Sequence, residues 1–439
     1  MKRKYHLSLM LVTLVVISLI LFVNIVILKY IEHFKNIKPE ENWLKYQDIN
    51  SNVKIAYMQN KNKDLVPQCA NTLHNMTVGK WIEKNYSGVT NYRKRLDHLH
   101  AYFRGYHEGF TQFPYREDLK CGFKVSPGIW LPFNILVDAS AWCKPYDNKP
   151  CCSDSKSGKC MTKEACMHSS TSVDLAKYTH AEIADWIPTD KRCKMITYHY
   201  DEACTVLSKN KIKSIGFVGN SFMRNFYLAM IQLLSNNFYN GTRPANSEAS
   251  LKKKCVNHAQ IHDKDCAASA VSKSEAMPSP GICAGHIDTK IYLRGWYAAQ
   301  YGKEFLSDAI EVLDEAGAFL LVGIGIHNQM DPQPVIRTFL KPVFDVLQGH
   351  KWPKIIWVHT QMAGIYKPSA YVAMHGDNNK VHEFTKAINQ FCKRYSVPTL
   401  DIRYLTSGVW SQDGQHFGIG VNLMKVQFLL NILSADDVL

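Results

Sequence analysis

The chain contains 439 residues, of which 46% are hydrophobic, and it carries a formal net charge of +14 at pH 7. This length and apolar content suffice for one large domain or two ordinary ones, which excludes a chain too small to bury a core. The positive charge favours an anionic partner, although an excess of solvated lysines would produce the same value.

The first segment predicts a membrane anchor. Residues 7–28, from Leu7 to Leu28, contain no charged residue and one strongly polar residue, Asn24, and they are numerous enough to span a bilayer as a helix. The cluster Lys2-Arg3-Lys4 favours a cytosolic tail over residues 1–6. A cleaved signal peptide is the alternative, but its apolar core would be shorter and small residues would follow it, whereas Lys29 and bulky residues follow here. We therefore predict a single-pass type II protein with a lumenal body.

Glycosylation and cysteine patterns favour the same location. Sequons for N-glycosylation begin at Asn75, Asn85 and Asn240. Of the thirteen cysteines, all but Cys392 fall between positions 69 and 283. In an oxidising compartment such crowding predicts a disulfide framework, whose pairing the sequence does not determine. The odd number leaves a thiol without an intramolecular partner, and the isolated Cys392 is our candidate for it.

Two irregular regions precede the regular part of the chain. Residues 29–65 are rich in Lys, Asn, Glu and Gln and predict a stem that holds the body away from the membrane. Residues 66–210 mix aromatic residues, cysteines and turn residues without periodicity, which predicts short strands and loops joined by disulfides. In a Golgi or other secretory-pathway membrane, the basic surface is better suited to acidic glycans than to nucleic acid.

Residues 211–439 alternate buried strands with helices, apart from a polar insertion near 238–287. This alternation is typical of βαβ units and predicts an α/β domain with a parallel sheet and helices on both faces. The predicted strands are 212–219, 291–293, 318–324, 355–358 and 399–402. The predicted helices are 221–234, 303–315, 334–348 with a kink or break at Pro342, 379–395 and 422–433.

Polar residues suited to catalysis follow several of these strands. In a parallel sheet, sites form beyond the carboxyl ends of the strands, so these residues should lie at one edge. They are Ser221 after the first strand, Gly325, His327 and Asn328 after the third, His359 after the fourth, and Asp413 and His416 after the last. We interpret His359 as structural.

Three of these side chains are of the kinds that form a catalytic triad. A serine hydroxyl becomes a nucleophile when a histidine accepts its proton, and the histidine needs a carboxylate that fixes its tautomer and stabilises its cation. Ser221, His416 and Asp413 supply these groups. The alternatives are a helix-capping serine, a surface histidine and the common turn pair Asp413-Gly414.

The acyl intermediate of such a triad needs donors for its oxyanion. The backbone N–H of a serine that begins a helix lies at the positive end of the helix dipole. Gly325 can contribute a second backbone N–H, and Asn328 or His327 a side-chain donor. The alternative for His327 and Asn328 is that they cap the segment that follows.

Four stretches of the chain resemble sequence blocks of a known protein family. "VGNSFMRN" resembles the VGDSxxRN block of the PC-esterase family, "SQDGQHF" resembles its closing DGxH block, and "GIGIHN" is similar in place to its third block. "DWIPTDKRC" is similar to the W-x-P…C stretch of the plant members. The family belongs to the SGNH/GDSL hydrolases and includes trichome-birefringence-like polysaccharide O-acetyltransferases, the sialate O-acetyltransferase, and neurexophilin and PC-esterase domain proteins. The resemblance covers roughly residues 180–435.

The resemblance implies an SGNH-like three-layer domain with a mostly parallel, flavodoxin-like sheet, and a lumenal enzyme that moves acetyl groups to or from sugar hydroxyls. Ser221 would carry the acetyl ester, His416 would act as base and then acid, and Asp413 would orient it. Arg224 matches the family arginine and would orient the loop or contact an acidic sugar. Asn220 departs from the family because it replaces an Asp with an uncharged residue.

A carbohydrate O-acetyltransferase is the function that the resemblance favours. It would hold no tightly bound cofactor, and a separate donor or transporter protein would supply the acetyl group from acetyl-CoA or a derived carrier. An O-acetyl esterase with the same triad and a catalytically silent glycan- or protein-binding protein are the alternatives.

One further motif has a spacing compatible with zinc. Cys255, His258, His262 and Cys266 lie three, four and four residues apart. In an oxidising lumen, with Cys283 nearby, disulfides are favoured, and we assign no metal.

Overall fold

The computed structural model describes residues 72–85, 179–364, 375–411 and 413–435, with single residues and short strands between 86 and 178. The predicted tail, anchor and stem lie outside the described residues. Within the described ranges, no helix is long and apolar enough to cross a membrane.

A five-stranded parallel sheet lies at the centre of the described chain. Its strands, in chain order, are β1 (Ser214–Gly219), β2 (Lys290–Arg294), β3 (Ala318–Gly323), β4 (Lys354–Val358) and β5 (Thr399–Leu400). They pair in the spatial order β2-β1-β3-β4-β5, and every pair is parallel. The predicted parallel α/β sheet is therefore confirmed, and its 2-1-3-4-5 order is that of flavodoxin-like sheets.

The three inner strands, β1, β3 and β4, are buried on both faces because helices cover each face. Alternate residues of β1 enter different hydrophobic clusters: Phe217 lies in one and Val218 in the other. The helices α1 (Tyr200–Lys209), α2 (Ser221–Leu234) and α6 (Ile419–Ser434) contribute to the first cluster, and α3 (Gly302–Glu311), α4 (Lys341–Leu347) and α5 (Asn378–Arg394) to the second.

The helix after β1 is almost wholly buried. Twelve of the fourteen residues of α2 are buried, because the helix lies between the sheet and α6. Its bounds are those that the sequence predicts. The aromatic contacts of Phe217 with Phe226 and Tyr227, at ring-centroid distances of 5.1 and 5.7 Å, fix α2 against β1.

The predicted helix over 334–348 is continuous but irregular. The helical residues Pro332–Pro334 lead into a π-helical segment, Val335–Leu340, which continues directly into α4, and Pro342 is the second residue of α4. Proline has no N–H to donate, and prolines and π-helical turns are both common causes of irregularity within a helix. Pro342 therefore marks an irregular part of one helix and not a break between two.

The region before β1 contains one element that was not predicted. The helix α1 buries Ala203, Val206 and Leu207 at helical spacing. A strand pair joins Gly79–Glu83 to Ala184–Pro188 in antiparallel register, in agreement with the short strands that the sequence predicts for residues 66–210. The helix replaces part of the loop structure predicted there.

The "DWIPTDKRC" stretch packs this strand pair against the helix α6. Trp186 is buried, donates its indole N–H to the Met76 carbonyl at 2.9 Å, and contacts the ring of Phe428 on α6 edge-on. The tryptophan of the motif therefore has a structural role.

The insertion between α2 and β2 is held by disulfides. Cys204 of α1 pairs with Cys283, and Cys255 pairs with Cys266. The second bond uses both thiols of the candidate zinc motif, so the prediction of disulfides is confirmed there. Cys392 is buried and unpaired, as predicted.

The two disulfides should differ in their contribution to stability. They join residues 79 and 11 positions apart, and chain-entropy estimates give about 4.5 and about 2.8 kcal/mol for such loops. We expect Cys204→Ala/Cys283→Ala to lower the free energy of unfolding more than Cys255→Ala/Cys266→Ala, as measured by urea denaturation. The control is Cys392→Ala, which removes a thiol without removing a cross-link. Equal losses for the two pairs would contradict this expectation.

Candidate active site

A tight turn at the end of β1 places Ser221 at the start of α2. Gly219 has φ +148°, and a Cβ atom there would lie 2.1 Å from the Gly323 carbonyl oxygen, so only glycine fits. Asn220 is extended and its side-chain oxygen accepts the Phe222 N–H at 2.9 Å. Asn220 is therefore the N-cap of α2.

The serine meets a histidine from the other end of the domain. The Ser221 Oγ atom lies 2.7 Å from Nε2 of His416, and Nδ1 of His416 lies 2.6 Å from Oδ2 of Asp413. A carboxylate accepts only, so Nδ1 carries the proton and Nε2 is left to accept the serine hydroxyl. The structure thus brings together the three residues that the sequence selects.

The turn before α6 holds the carboxylate of Asp413 in place. The Oδ1 atom of Asp413 accepts the backbone N–H groups of Gln415 and His416 at 2.9 and 2.6 Å. Gly414 has φ +75°, which a side chain would disfavour. Burial alone would raise the pKa of Asp413, but the neighbouring His416 and the three hydrogen bonds outweigh it and hold this pKa well below its usual range. Asp413 is therefore ionised at neutral pH.

The loop after β3 lies beside the triad without touching the serine. Gly325 has φ +146°, and its carbonyl accepts the N–H groups of Asn328 and Met330 at 2.9 and 3.0 Å. Within the described residues, no hydrogen bond joins Gly325, His327 or Asn328 to Ser221, so their oxyanion role remains a prediction. The Asn328 side-chain oxygen accepts the Ala299 N–H at 3.1 Å, which leaves its amide N–H groups to other acceptors.

An aromatic surface continues from this loop. The rings of Tyr297 and His327 meet edge-on at 5.0 Å, and Tyr297 is 41% exposed. Tyr301 supports Tyr297 at 5.0 Å, and Trp296 stacks on Tyr301 at 5.6 Å. Burial and the nearby His416 lower the pKa of His327. We call Trp296, Tyr297, Tyr301 and His327 the aromatic wall.

A surface cavity of about 670 Å³ borders the same loop. His327 and Asn328 line it on one side, and Phe384 and the charged residues Lys380 and Glu383 of α5 line it on the other. A cavity of this volume is large enough for a small ligand.

The side chain of Arg224 has no hydrogen-bond or ion-pair partner among the described residues. Its Nε atom is buried without a hydrogen bond, and burial lowers the pKa of its guanidinium. In the described part of the chain no carboxylate pairs with it. Nothing there supports the idea that Arg224 orients the loop, and its contact with an acidic sugar remains a prediction.

The histidine after the fourth strand, His359, is bound by residues other than the serine. Trp357 donates its indole N–H to Nδ1 of His359 at 3.1 Å, and Nε2 of His359 lies 2.7 Å from the Asn389 side-chain oxygen. Burial lowers the pKa of His359 to about 4. A neutral ring with both nitrogens engaged agrees with the structural interpretation.

The three glycosylation predictions fall in described residues. Asn85 is exposed, whereas Asn75 and Asn240 are half-buried. Their modification remains a prediction.

Several residues around the site were not predicted from the sequence. Tyr297 belongs to an irregular loop that carries no motif. Gln361 and Lys425 form a buried hydrogen bond of 2.8 Å close to the triad. The signal for Lys425 was present, because it is the only charged residue in α6.

A comparison with protein-family models gives no match, and a comparison with curated protein sequences gives none either.

Because Asn220 caps α2, substitutions at this position should change the stability of the protein in a predictable way. Asn220→Ala should lower the free energy of unfolding by about 1 kcal/mol, because the Phe222 N–H loses its acceptor. Asn220→Asp should retain that stability, since a carboxylate accepts the same bond at a helix N-terminus. Urea denaturation measures both.

The same pair of variants tests the catalytic importance of the missing carboxylate. Because Asp413 is the partner of His416, we expect Asn220→Asp to leave kcat for p-nitrophenyl acetate within about tenfold of the parent. A gain of several orders of magnitude would mean that position 220 needs the charge and that the parent chain has lost most of its activity.

Proposed function

We propose that this protein is an SGNH-like, serine-dependent carbohydrate O-acetyltransferase of the secretory pathway. The observation that carries the proposal is the continuous chain of contacts from Asp413 through His416 to the Ser221 Oγ atom, with distances of 2.6 and 2.7 Å. Acyl transfer is the chemistry that this chain of groups performs in unrelated folds. The resemblance of the flanking blocks to the PC-esterase family supports acetyl groups and sugar hydroxyls as the substrates.

The first half-reaction makes the acetyl ester. Ser221 Oγ attacks the acetyl carbonyl carbon of the donor while Nε2 of His416 takes the hydroxyl proton. The bond between the acetyl carbon and the leaving group then breaks, and His416 returns its proton to that group. Asp413, ionised at neutral pH, stabilises the imidazolium in between.

The second half-reaction consumes the ester. A glycan hydroxyl attacks the acetyl carbon and loses its proton to His416, and Ser221 leaves and recovers the proton. With water in place of the hydroxyl the same steps give an esterase. The resemblance and the predicted anchor favour transfer, with the acetyl donor delivered by a separate protein.

The triad is tested by substitution in the full chain. Ser221→Ala, His416→Gln and Asp413→Asn should each lower kcat for p-nitrophenyl acetate by about a thousandfold or more, and the losses should not add in double variants. A fluorophosphonate probe should label the parent and not Ser221→Ala. Ser208→Ala, which changes an exposed serine of α1, is the matched control.

Two results would contradict the proposal. Well-folded parent protein that is not labelled, or activity that survives Ser221→Ala, would remove the nucleophile. Acetylation of glycan acceptors, read by mass, separates transfer from hydrolysis: acetate without acetylated glycan would identify an esterase.

The acceptor should lie on the aromatic wall. Exposed aromatic rings provide apolar faces against which a sugar ring packs, with contact energies of about 1 kcal/mol. We expect Tyr297→Ala to raise KM for a glycan acceptor about tenfold while labelling of Ser221 stays unchanged.

The control for this change is Tyr239→Ala. Tyr239 is a tyrosine of the insertion that is 53% exposed. An equal KM for Tyr297→Ala and the parent would place the acceptor elsewhere.

A further inference from the structure

A buried lysine, Lys425, lies close to the turn that contains Asp413 and His416. Lys425 of α6 is 1% exposed, and its ammonium donates to the side-chain oxygens of Gln361 at 2.8 Å and Asn422 at 3.0 Å. In the described part of the chain it pairs with no carboxylate. Burial lowers the pKa of Lys425 to about 7. A buried ammonium with only amide partners is costly for folding, so its presence calls for a role beyond packing.

The two amides lead from Lys425 to both sides of His416. The Gln361 amide donates to the Gln415 carbonyl at 2.6 Å. The Asn422 amide donates to the carbonyls of Phe417 and Gly418, each at 2.9 Å. The peptide group that precedes the catalytic histidine, and the second and third peptide groups after it, are therefore held by side chains that both contact Lys425.

The ammonium decides which way the two amides point. An amide side chain has an accepting oxygen and a donating nitrogen at similar positions, and either can face a neighbour. A protonated lysine only donates, so while Lys425 carries its charge Gln361 and Asn422 both present their oxygens to it. Their N–H groups are then directed at the backbone carbonyls beside His416. An apolar residue in place of Lys425 would leave both amides free to turn.

We propose that Lys425 is a positioning residue that holds His416 against Ser221 through Gln361 and Asn422. It touches no reacting atom, and the inference rests on the proposed function because it takes His416 as the general base. Lys425 also lines, with Asn220 and Phe222, a small cavity directly behind the nucleophile.

The test uses three variants of the full chain. Lys425→Met removes the ammonium at nearly constant volume. Gln361→Glu keeps a partner for Lys425 but loses the donor to Gln415, and Asn422→Asp does the same toward Phe417. We expect each to lower kcat for p-nitrophenyl acetate about tenfold to a hundredfold, because small displacements of a catalytic group are costly. KM should change less than about threefold.

Thermal denaturation separates positioning from packing. Lys425→Met removes an ammonium that is costly to bury, so its Tm should equal or exceed that of the parent. The matched control is Gln427→Leu, which removes a buried amide of the same helix that contacts the backbone of Tyr198. It should lower Tm and leave kcat unchanged. If kcat falls only in variants whose Tm falls with it, the role is structural.

A spectroscopic readout keeps the proposal independent of turnover. In protein with ¹³C-labelled histidine rings, the signal that disappears in His416→Gln belongs to His416. This signal should shift or broaden in Lys425→Met and Gln361→Glu but not in Gln427→Leu. If the parent hydrolyses no ester but the signal responds, the proposed function fails and the positioning role stands. An unchanged signal and unchanged kcat in folded Gln361→Glu and Lys425→Met would overturn it.

Discussion

The close approach of β1 and β3 at Gly219 is the constraint on which the site depends. A Cβ atom at Gly219 would lie 2.1 Å from the Gly323 carbonyl oxygen. Because none is present, β1 can end in register with β3 and turn at once into α2. Ser221 then sits at the helix N-terminus, where the dipole and free N–H groups favour a developing negative charge.

The strand order supplies the other walls of the site. In the order β2-β1-β3, the loops after β2 and β3 flank the end of β1. They meet through the Tyr297–His327 ring contact and the bond from Ala299 to Asn328. The chain after β5 returns to the same edge before entering α6, which brings His416 to Ser221 across 195 positions of sequence. One edge of one sheet thus gathers four segments that are distant in the chain.

Local patterns predict the parts of this arrangement that local physics determines. The run that ends at Gly219 and the spacing of Phe222, Phe226 and Met230 predict β1 and α2 because burial on both sides leaves an apolar signature. The parallel alternation then predicts that Ser221 and His416 share an edge. The helix α1 was missed although Asp201 and Glu202 mark its first turn, because its apolar residues are few.

The parts that were not predicted depend on contacts between distant side chains. Gln361 and Lys425 are 64 positions apart, and neither belongs to a motif. Only the packing of α6 against the loop after β4 brings their polar atoms together. Likewise, only the contact between the rings of Tyr297 and His327 indicates a role for Tyr297 at the site. The sequence shows that Lys425 is a charged residue in an apolar helix. It does not show which polar groups bind the buried ammonium.

The buried charge offers a reason why asparagine suits position 220. Lys425 and Asn220 border one small cavity behind the nucleophile. Lys425 has two neutral amide partners, and asparagine at position 220 adds no further charge beside this cavity. The neutral cap also satisfies the Phe222 N–H. The carboxylate that contacts His416 is that of Asp413, which comes from the far end of the domain.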